Sequence, residues 1–410
     1  MPRLLWTQKQ NVGPLARVGH AMVYDTDRNR TVLFGGDSLR SQLFNDTWEW
    51  EGAHWTQMAD IGPAPRVDQA MAYDGARRHT LMFGGSGSGG ALRDTWAWNG
   101  EDWTQMADTG PANRTGHAVA YDSDRSSVVL FGGQSQTSDP LNDTWEWDGV
   151  DWTQVQDTGP SPRRAHVMTY DSVRRRVVLF GGTGADGLGQ GDTWEWDGRV
   201  WTRVADFGAT PCLSAAMTFK GDAIALFGGI GSINPSPAPT VFATTWQWDG
   251  SHWSLMQDIG PGPRWRHAMT YDAKRSHMVL FGGLPLFAPQ DPNLADRVLG
   301  DTWEHTDQAP PVTIQSFGIS PPSVGVADTA TGTITLSGPA PAGGIAVQLT
   351  TQPPDPSIFF DTGPQVTIPV GSNTVTFRVG NDAPRTAPFL VTVVATLGAS
   401  STSATVTFVP

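Results

Sequence analysis

The sequence has one cysteine, Cys212, in 410 residues. This excludes an internal disulfide, a cysteine-rich zinc site and an iron–sulfur cluster. No apolar run reaches the length of a membrane-spanning helix, so no transmembrane segment is expected. Positive charge is scarce and scattered: 27 basic residues stand against 40 acidic ones, for a net charge of −13. Without a basic cluster, a nucleic-acid partner or an anionic-membrane surface is disfavoured. The opening residues MPRLLWTQKQ lack the hydrophobic region of a signal peptide. The expectation is an extracellular or cell-surface protein whose leader has been removed, with an intracellular one as the alternative. No spacing calls for a metal or other cofactor, so none is expected, and oligomeric state leaves no mark.

What is abundant is repetition, with a period of about 49 residues. An apolar–Phe–Gly–Gly segment recurs at Phe34, Phe83, Phe131, Phe180, Phe227 and Phe281. Each is followed by an Asp-Thr-Trp segment, at Trp48, Trp96, Trp145, Trp194, Trp246 (where Thr244 replaces Asp) and Trp303. A second Trp follows two residues later in five copies, and a Trp-Thr or Trp-Ser after that at Trp55, Trp103, Trp152, Trp201 and Trp253. The sixth copy of this last element is missing after Trp303 and stands at the other end of the chain, as Trp6-Thr7.

Each repeat reads as four short strands separated by turn residues. In the first, strand A covers 20–24, B 31–34, C 47–50 and D 55–58. The displaced Trp6 element predicts that residues 5–9 supply the outermost strand of the sixth sheet and so close a ring. Of 18 Trp, 17 occupy the repeating positions. A buried aromatic removes roughly 150–250 Å² from water, so these are packing residues. Trp265 alone lies outside the pattern.

The Gly-Gly doublet, the spaced aromatics after it and a Gly-Pro-x-x-Arg lead-in to strand A in five of six repeats resemble the kelch family over about three quarters of the chain. The resemblance implies an all-β fold: a six-bladed kelch β-propeller over residues 1–308, closed by the N-terminal strand, with strand A innermost. After Ala309-Pro310-Pro311 the composition shifts to Thr, Val, Ser, Pro and Gly, without Trp or His. About seven period-two segments, among them 332–337, 365–368, 374–378 and 404–408, suggest that residues 309–410 form a β-sandwich. It is similar to the immunoglobulin-like modules of bacterial surface proteins.

A four-stranded meander puts the B–C and D–A loops at one end of each blade. That end varies, with long inserts at 230–244 and 284–300, and variable loops on a rigid scaffold are where binding resides. Aligning the entrance to strand A gives circles of equivalent residues. One holds Arg17, Arg66, Arg114, Arg163 and Arg264, with Cys212 in the fifth place. Another runs Val18, Val67, Thr115, Arg164, Leu213, Trp265. A third runs Gly19, Asp68, Gly116, Ala165, Ser214, Arg266. The last runs His20, Gln69, His117, His166, Ala215, His267.

Guanidinium forks suit carboxylates and sulfates, but the arginines could equally tie loops together. The histidines could coordinate a metal, but blade-to-blade spacing exceeds the reach of one ion, which favours hydrogen bonding between blades. The departures Asp68, Trp265 and Arg266, with Arg264 and His267 beside them, are the candidate ligand contacts. The nonapeptide at 181–189 matches a calcium-binding pattern that needs consecutive copies, which are absent.

A propeller followed by a β-domain is also similar in architecture to the copper radical oxidases. However, all five Tyr occupy one turn position and no His follows His305, so oxidase activity is not expected. The leading expectation is a binding or scaffolding module recognising a glycan or protein partner on the loop face. An epimerase- or mutarotase-like enzyme using Asp68 as acid or base is one alternative, and a structural component of a surface assembly is the other.

Overall fold

A computed structural model describes residues 5–9, 12–40, 42–136, 139–234, 239–256, 260–286, 291, 293–306, 312–340, 344–398 and 400–410. The chain divides into two compact units, Met1–Asp307 and Gln308–Pro410. The proline-rich boundary read at 309–311 lies outside the described residues. Apart from one 3-10 turn, Leu294–Arg297, the regular elements among the described residues are all strands, and no helix is long and apolar enough to cross a membrane.

The first unit contains six four-stranded antiparallel sheets. The first runs A to D as Ala21–Asp25, Arg30–Phe34, Thr47–Trp50 and Trp55–Ala59. These bounds differ from the expected ones by a residue at either end, where fraying and turn residues make sequence patterns weakest. In the sixth sheet, Ala268–Asp272, His277–Gly283 and Leu299–Thr306 are joined by Leu5–Gln8 from the chain start. That strand pairs antiparallel with the third, Leu5 opposite Thr306 and Gln8 opposite Trp303.

The sheets close on one another through a circle of backbone hydrogen bonds. Gly19 N–H donates to Arg266 O, Asp68 to Gly19, Gly116 to Asp68, Ala165 to Gly116, Ser214 to Ala165 and Arg266 to Ser214, over 2.7–3.1 Å. All six residues sit at φ between +52° and +64°. This left-handed geometry costs a non-glycine residue on the order of 1 kcal/mol. Only Gly19 and Gly116 adopt it freely, so the circle holds four residues in strained backbone.

The Phe-Gly-Gly doublets have a matching cause. A Cβ on Gly35 would lie 2.8 Å from Arg66 O of the next sheet, and both Gly35 (+69°) and Gly36 (+105°) have positive φ. Strand B of each sheet is almost wholly buried, and the core lies between neighbouring sheets. Val32 and Phe34 of the first, for instance, pack with Met71, Met82 and Trp98 of the second. The strand-D tryptophans also use their polar end. Trp55, Trp103, Trp152, Trp201 and Trp253 donate Nε1–H to Thr302, Thr47, Thr95, Thr144 and Thr193 of the preceding sheet at 2.8–2.9 Å. The repeat is therefore stabilised chiefly by what each sheet offers the next.

The second unit has two sheets around one core. One is ordered Ile314–Ser320, Ala330–Leu336, Thr374–Asn381, Ile358–Phe360. The other is ordered Ser323–Gly325, Ser400–Val409, Phe389–Leu397, Ile345–Gln352, Gln365–Ile368. Ser323–Gly325 pairs parallel with the last strand. Inward residues of both sheets, including Ile334, Val347, Phe377, Val393 and Phe408, form a single buried cluster. Among the described residues nine strands are present where about seven were expected; Ser323–Gly325 and Ile358–Phe360 are too short for alternation to show.

Candidate functional site: the mouth of the channel on the loop face

The arginine circle does not face a ligand. Arg17, Arg66, Arg114, Arg163 and Arg264 are at most 2% exposed. Each forks onto a carboxylate of its own sheet, Asp46, Asp94, Asp143, Asp192 or Asp301, at 2.6–2.9 Å. The same guanidinium donates to the first Gly carbonyl of the doublet, as Arg17 does to Gly35 O at 2.9 Å. Burial pushes the Asp46 carboxyl up, but hydrogen bonds and charge from Arg17 outweigh it and hold the group below the usual carboxylate range. These five arginines therefore leave the set of ligand contacts. Their planar, permanently charged forks are consumed inside the sheets.

The histidines are also committed between sheets. His117 Nε2 lies 3.1 Å from Phe83 O of the preceding sheet, and Gln69, which stands in the second sheet's place, donates to Phe34 O at 2.8 Å. His20, His166 and His267 stand in the equivalent places beside Phe281, Phe131 and Phe227, but their buried ring nitrogens make no hydrogen bond among the described residues. Each ring meets the same phenylalanine edge-on at 5.3–5.5 Å. Burial, reinforced by the neighbouring arginine, pushes His20 and His117 down to about 3, and His166 and His267 well below the ordinary imidazole value. They are neutral at physiological pH and form the floor of the channel mouth. No group of three or more His, Cys, Asp or Glu among the described residues could hold a metal ion.

Above that floor is a cavity of about 320 Å³ whose wall includes Asp68, Gln134, Arg164, Leu213, Trp265 and Arg266. Arg266 Nη2 reaches both Asp68 oxygens, at 2.9 and 2.8 Å. The pair spans Gly19, where a Cβ would stand 2.4 Å from Asp68 Oδ1 and 2.8 Å from Arg266 Nη2. Its side chains are 36% and 21% exposed, so it is a partly solvated pair worth at most about 1 kcal/mol. Asp68, the candidate acid or base, has both oxygens on a guanidinium and is not presented as a free catalytic group.

Trp265 lines the cavity and also supports it: its Nε1–H donates to Leu286 O of the long sixth-repeat loop at 3.1 Å. Of the described parts of the inserts, Ile233 lines the mouth, and others brace the loops around it. Arg40 of the first sheet pairs with Asp296 of the sixth-repeat loop. Ile233 N–H donates to Gly187 O at 3.0 Å, and Asn234 Nδ2 to Asp186 O at 3.0 Å. The calcium-like nonapeptide thus spends its backbone on the neighbouring loop.

The wall has two characters. Leu213, Ala215, Ile233 and Trp265 make an apolar side on the fifth and sixth sheets, while Asp68, Gln69, Thr115 and Gln134 make a polar side on the second and third. Arg164, hydrogen-bonded to Gln134, and Arg266 stand between them. With the histidines neutral, two guanidiniums and one carboxylate leave the mouth with one positive charge. Gln134 and Ile233 were not singled out from the sequence, although the residue after each Gly-Gly doublet varies (Asp37, Ser86, Gln134, Thr183, Ile230, Leu284). That residue bridges to the strand-A lead-in in every repeat, which was the available signal for Gln134, whereas Ile233 lies in the insert and had none.

Residues 98–283 match the family model of the KLHDC2/KLHL20/DRC7 Kelch-repeats domain. Together with the four-stranded antiparallel sheets, the match fits a kelch-like β-propeller. A solved chain described as "Structure of YjhT" is similar at a TM-score of 0.57 and 13% identity, covering 72% of this chain and 96% of that one. The likeness concerns fold, and since 155 solved chains resemble this one, fold alone selects no activity. No curated protein matches the chain.

Proposed function

We propose that the chain is a binding module. Residues 1–308 form a six-bladed propeller that holds a glycan at the loop-face mouth of its channel, and residues 309–410 form an immunoglobulin-like sandwich serving as spacer or second contact. The observation that carries this reading is the two-sided wall. A sugar ring presents a C–H face, which suits Trp265, Leu213 and Ile233, and hydroxyl edges, which suit Gln134, Thr115 and the partly exposed Arg266–Asp68 pair. The volume of about 320 Å³ lies at the small end of ligand pockets, which favours one or two sugar units over an extended protein surface.

The test is a glycan array followed by titration calorimetry on the best binder, with wild type, Trp265→Ala and Arg266→Ala. Both variants should bind at least about tenfold more weakly, the loss of roughly 1.4 kcal/mol expected for one stacking or charged contact. If both match wild type, the site is misplaced. A hit confined to proteins would replace the glycan by a protein partner.

A further inference from the structure

The opposite end of the channel lies away from every candidate ligand contact, yet it holds a cavity of about 520 Å³ built from strand A and the A–B turns of all six four-stranded sheets. One register, Met22, Met71, Met168, Met217 and Met269 with Val119 in the third blade, borders its inner end, and all but Met22 of these methionines are buried and also pack in the cores between blades. Thioether side chains are flexible and polarizable and adapt to guests of irregular shape. Toward solvent come Tyr24, Tyr73, Tyr121, Tyr170 and Tyr271, with Phe219 in the fifth blade.

Four of the tyrosine hydroxyls are engaged by the preceding blade's turn. Tyr73 donates to Asp27 at 2.7 Å and Tyr170 to Asp124, while Tyr121 accepts from Ala76 N–H at 3.0 Å and Tyr24 from Lys274 N–H at 3.4 Å. The Thr169 hydroxyl in the wall likewise accepts from Phe219 N–H at 3.2 Å. The side chains therefore offer a guest mainly hydrocarbon, sulfur and aromatic surface, and among the described residues no charged side chain lines the cavity. The outermost lining residues, Thr26, Gly75, Ser123, Ser172, Gly221 and Ala273, are small and uncharged and leave the opening unobstructed.

We propose that this turn-end cavity is a second ligand site, for a slender uncharged apolar molecule of the aromatic or aliphatic class. Its volume falls within the range of small-molecule pockets, whose walls are mostly apolar with few polar groups. The lining is mostly apolar, although the opening reaches solvent, and it favours an apolar guest. The two ends of one channel thus have opposite chemistry: charged and hydrogen-bonding at the loops, thioether and aromatic at the turns.

The test uses the full chain and N-phenyl-1-naphthylamine, an uncharged probe whose fluorescence rises in apolar surroundings. Saturable binding at one probe per chain is expected. The exposed rim changes Ser123→Trp and Ala273→Trp, which touch no buried contact, should each weaken it about tenfold, with circular dichroism and Tm confirming the fold. Trp265→Ala, at the other mouth, should leave it unchanged. Non-saturable binding, or binding indifferent to both rim variants, would overturn the proposal. Binding lost in Trp265→Ala would also overturn it, by assigning the probe to the loop end. The glycan reading stands or falls separately, because its variants and ligand do not overlap with these.

Discussion

The fifth blade and the other five fold alike but are held together differently. In the other blades an arginine–aspartate fork joins the strand-A lead-in to strand C, and the same aspartate accepts the first strand-C tryptophan, as Asp46 does from Trp48 at 2.7 Å. In the fifth blade Cys212 stands for the arginine and Thr244 for the aspartate, and Trp246 Nε1 is buried without a partner. The same blade has Ala215 for histidine, Phe219 for tyrosine and Gln247 for glutamate. It substitutes apolar packing among Cys212, Ala215, Met217, Leu226 and Trp248 for the polar network. A buried ion pair is thus dispensable to the blade when both partners are replaced together, as the desolvation cost of such pairs implies.

The comparison can be broken most sharply at a fork. Arg163→Ala leaves Asp192 in a buried setting without its cation, and should cost about 3–5 kcal/mol in urea unfolding. The double change Arg163→Cys with Asp192→Thr, which copies the fifth blade, should recover much of that loss. If the double variant is as unstable as the single losses summed, the blades are not interchangeable in this sense.

Acid should separate the blades next. His117, pushed down to about 3 by burial and then by Arg114, is depressed in the folded state relative to the unfolded chain. Below about pH 6.5 the unfolded chain binds more protons, so stability is full above that pH and falls as pH drops toward 3. The loss is on the order of 3 kcal/mol per such histidine by pH 4. His117→Gln, which copies Gln69, should flatten the fall in urea midpoint between pH 6 and 4. The fork aspartates, also depressed, add a further loss only below about pH 4. An unchanged slope in His117→Gln would contradict the assignment.

Smaller effects test the details. Cys212 is 3% exposed, and burial pushes its thiol up to about 12. It should react with a thiol reagent only at the rate of unfolding; rapid labelling of the native protein would mean the fifth blade is looser than described. Arg266→Gly removes a partly solvated ion pair but relieves left-handed backbone at φ +55°, and the two effects oppose each other. Stability should stay within about 1 kcal/mol while ligand binding falls.

Much of the scaffold was legible because its constraints repeat. Gly-Gly doublets, tryptophans at fixed offsets and the displaced Trp6 element each need a neighbouring sheet, so their spacing specified strands, period and the closing role of residues 5–9, of which Leu5–Gln8 form the strand. The paired loss of Arg and Asp in the fifth repeat was also visible, as Cys212 and Thr244, but the two departures lie 32 positions apart. Only the fork geometry shows that they are one event. Gln134 ends a strand at a repeating position whose outward direction the pattern did not give, and Ile233 reaches the mouth through an insert that no periodicity describes.

Arg264 and Arg266 show where reading from sequence ends. They lie two residues apart in the same lead-in and carry the same charge, so pattern alone made both ligand contacts. In the fold Arg264 is 2% exposed and locked to Asp301, while Arg266 is 21% exposed at the cavity wall. The partner of one lies 37 residues along the chain and that of the other 198 residues away. The left-handed backbone at Arg266 helps place it at the channel. Local propensity and period decide which strands form, whereas the direction and pairing of a single side chain depend on groups that only the closed ring brings within reach.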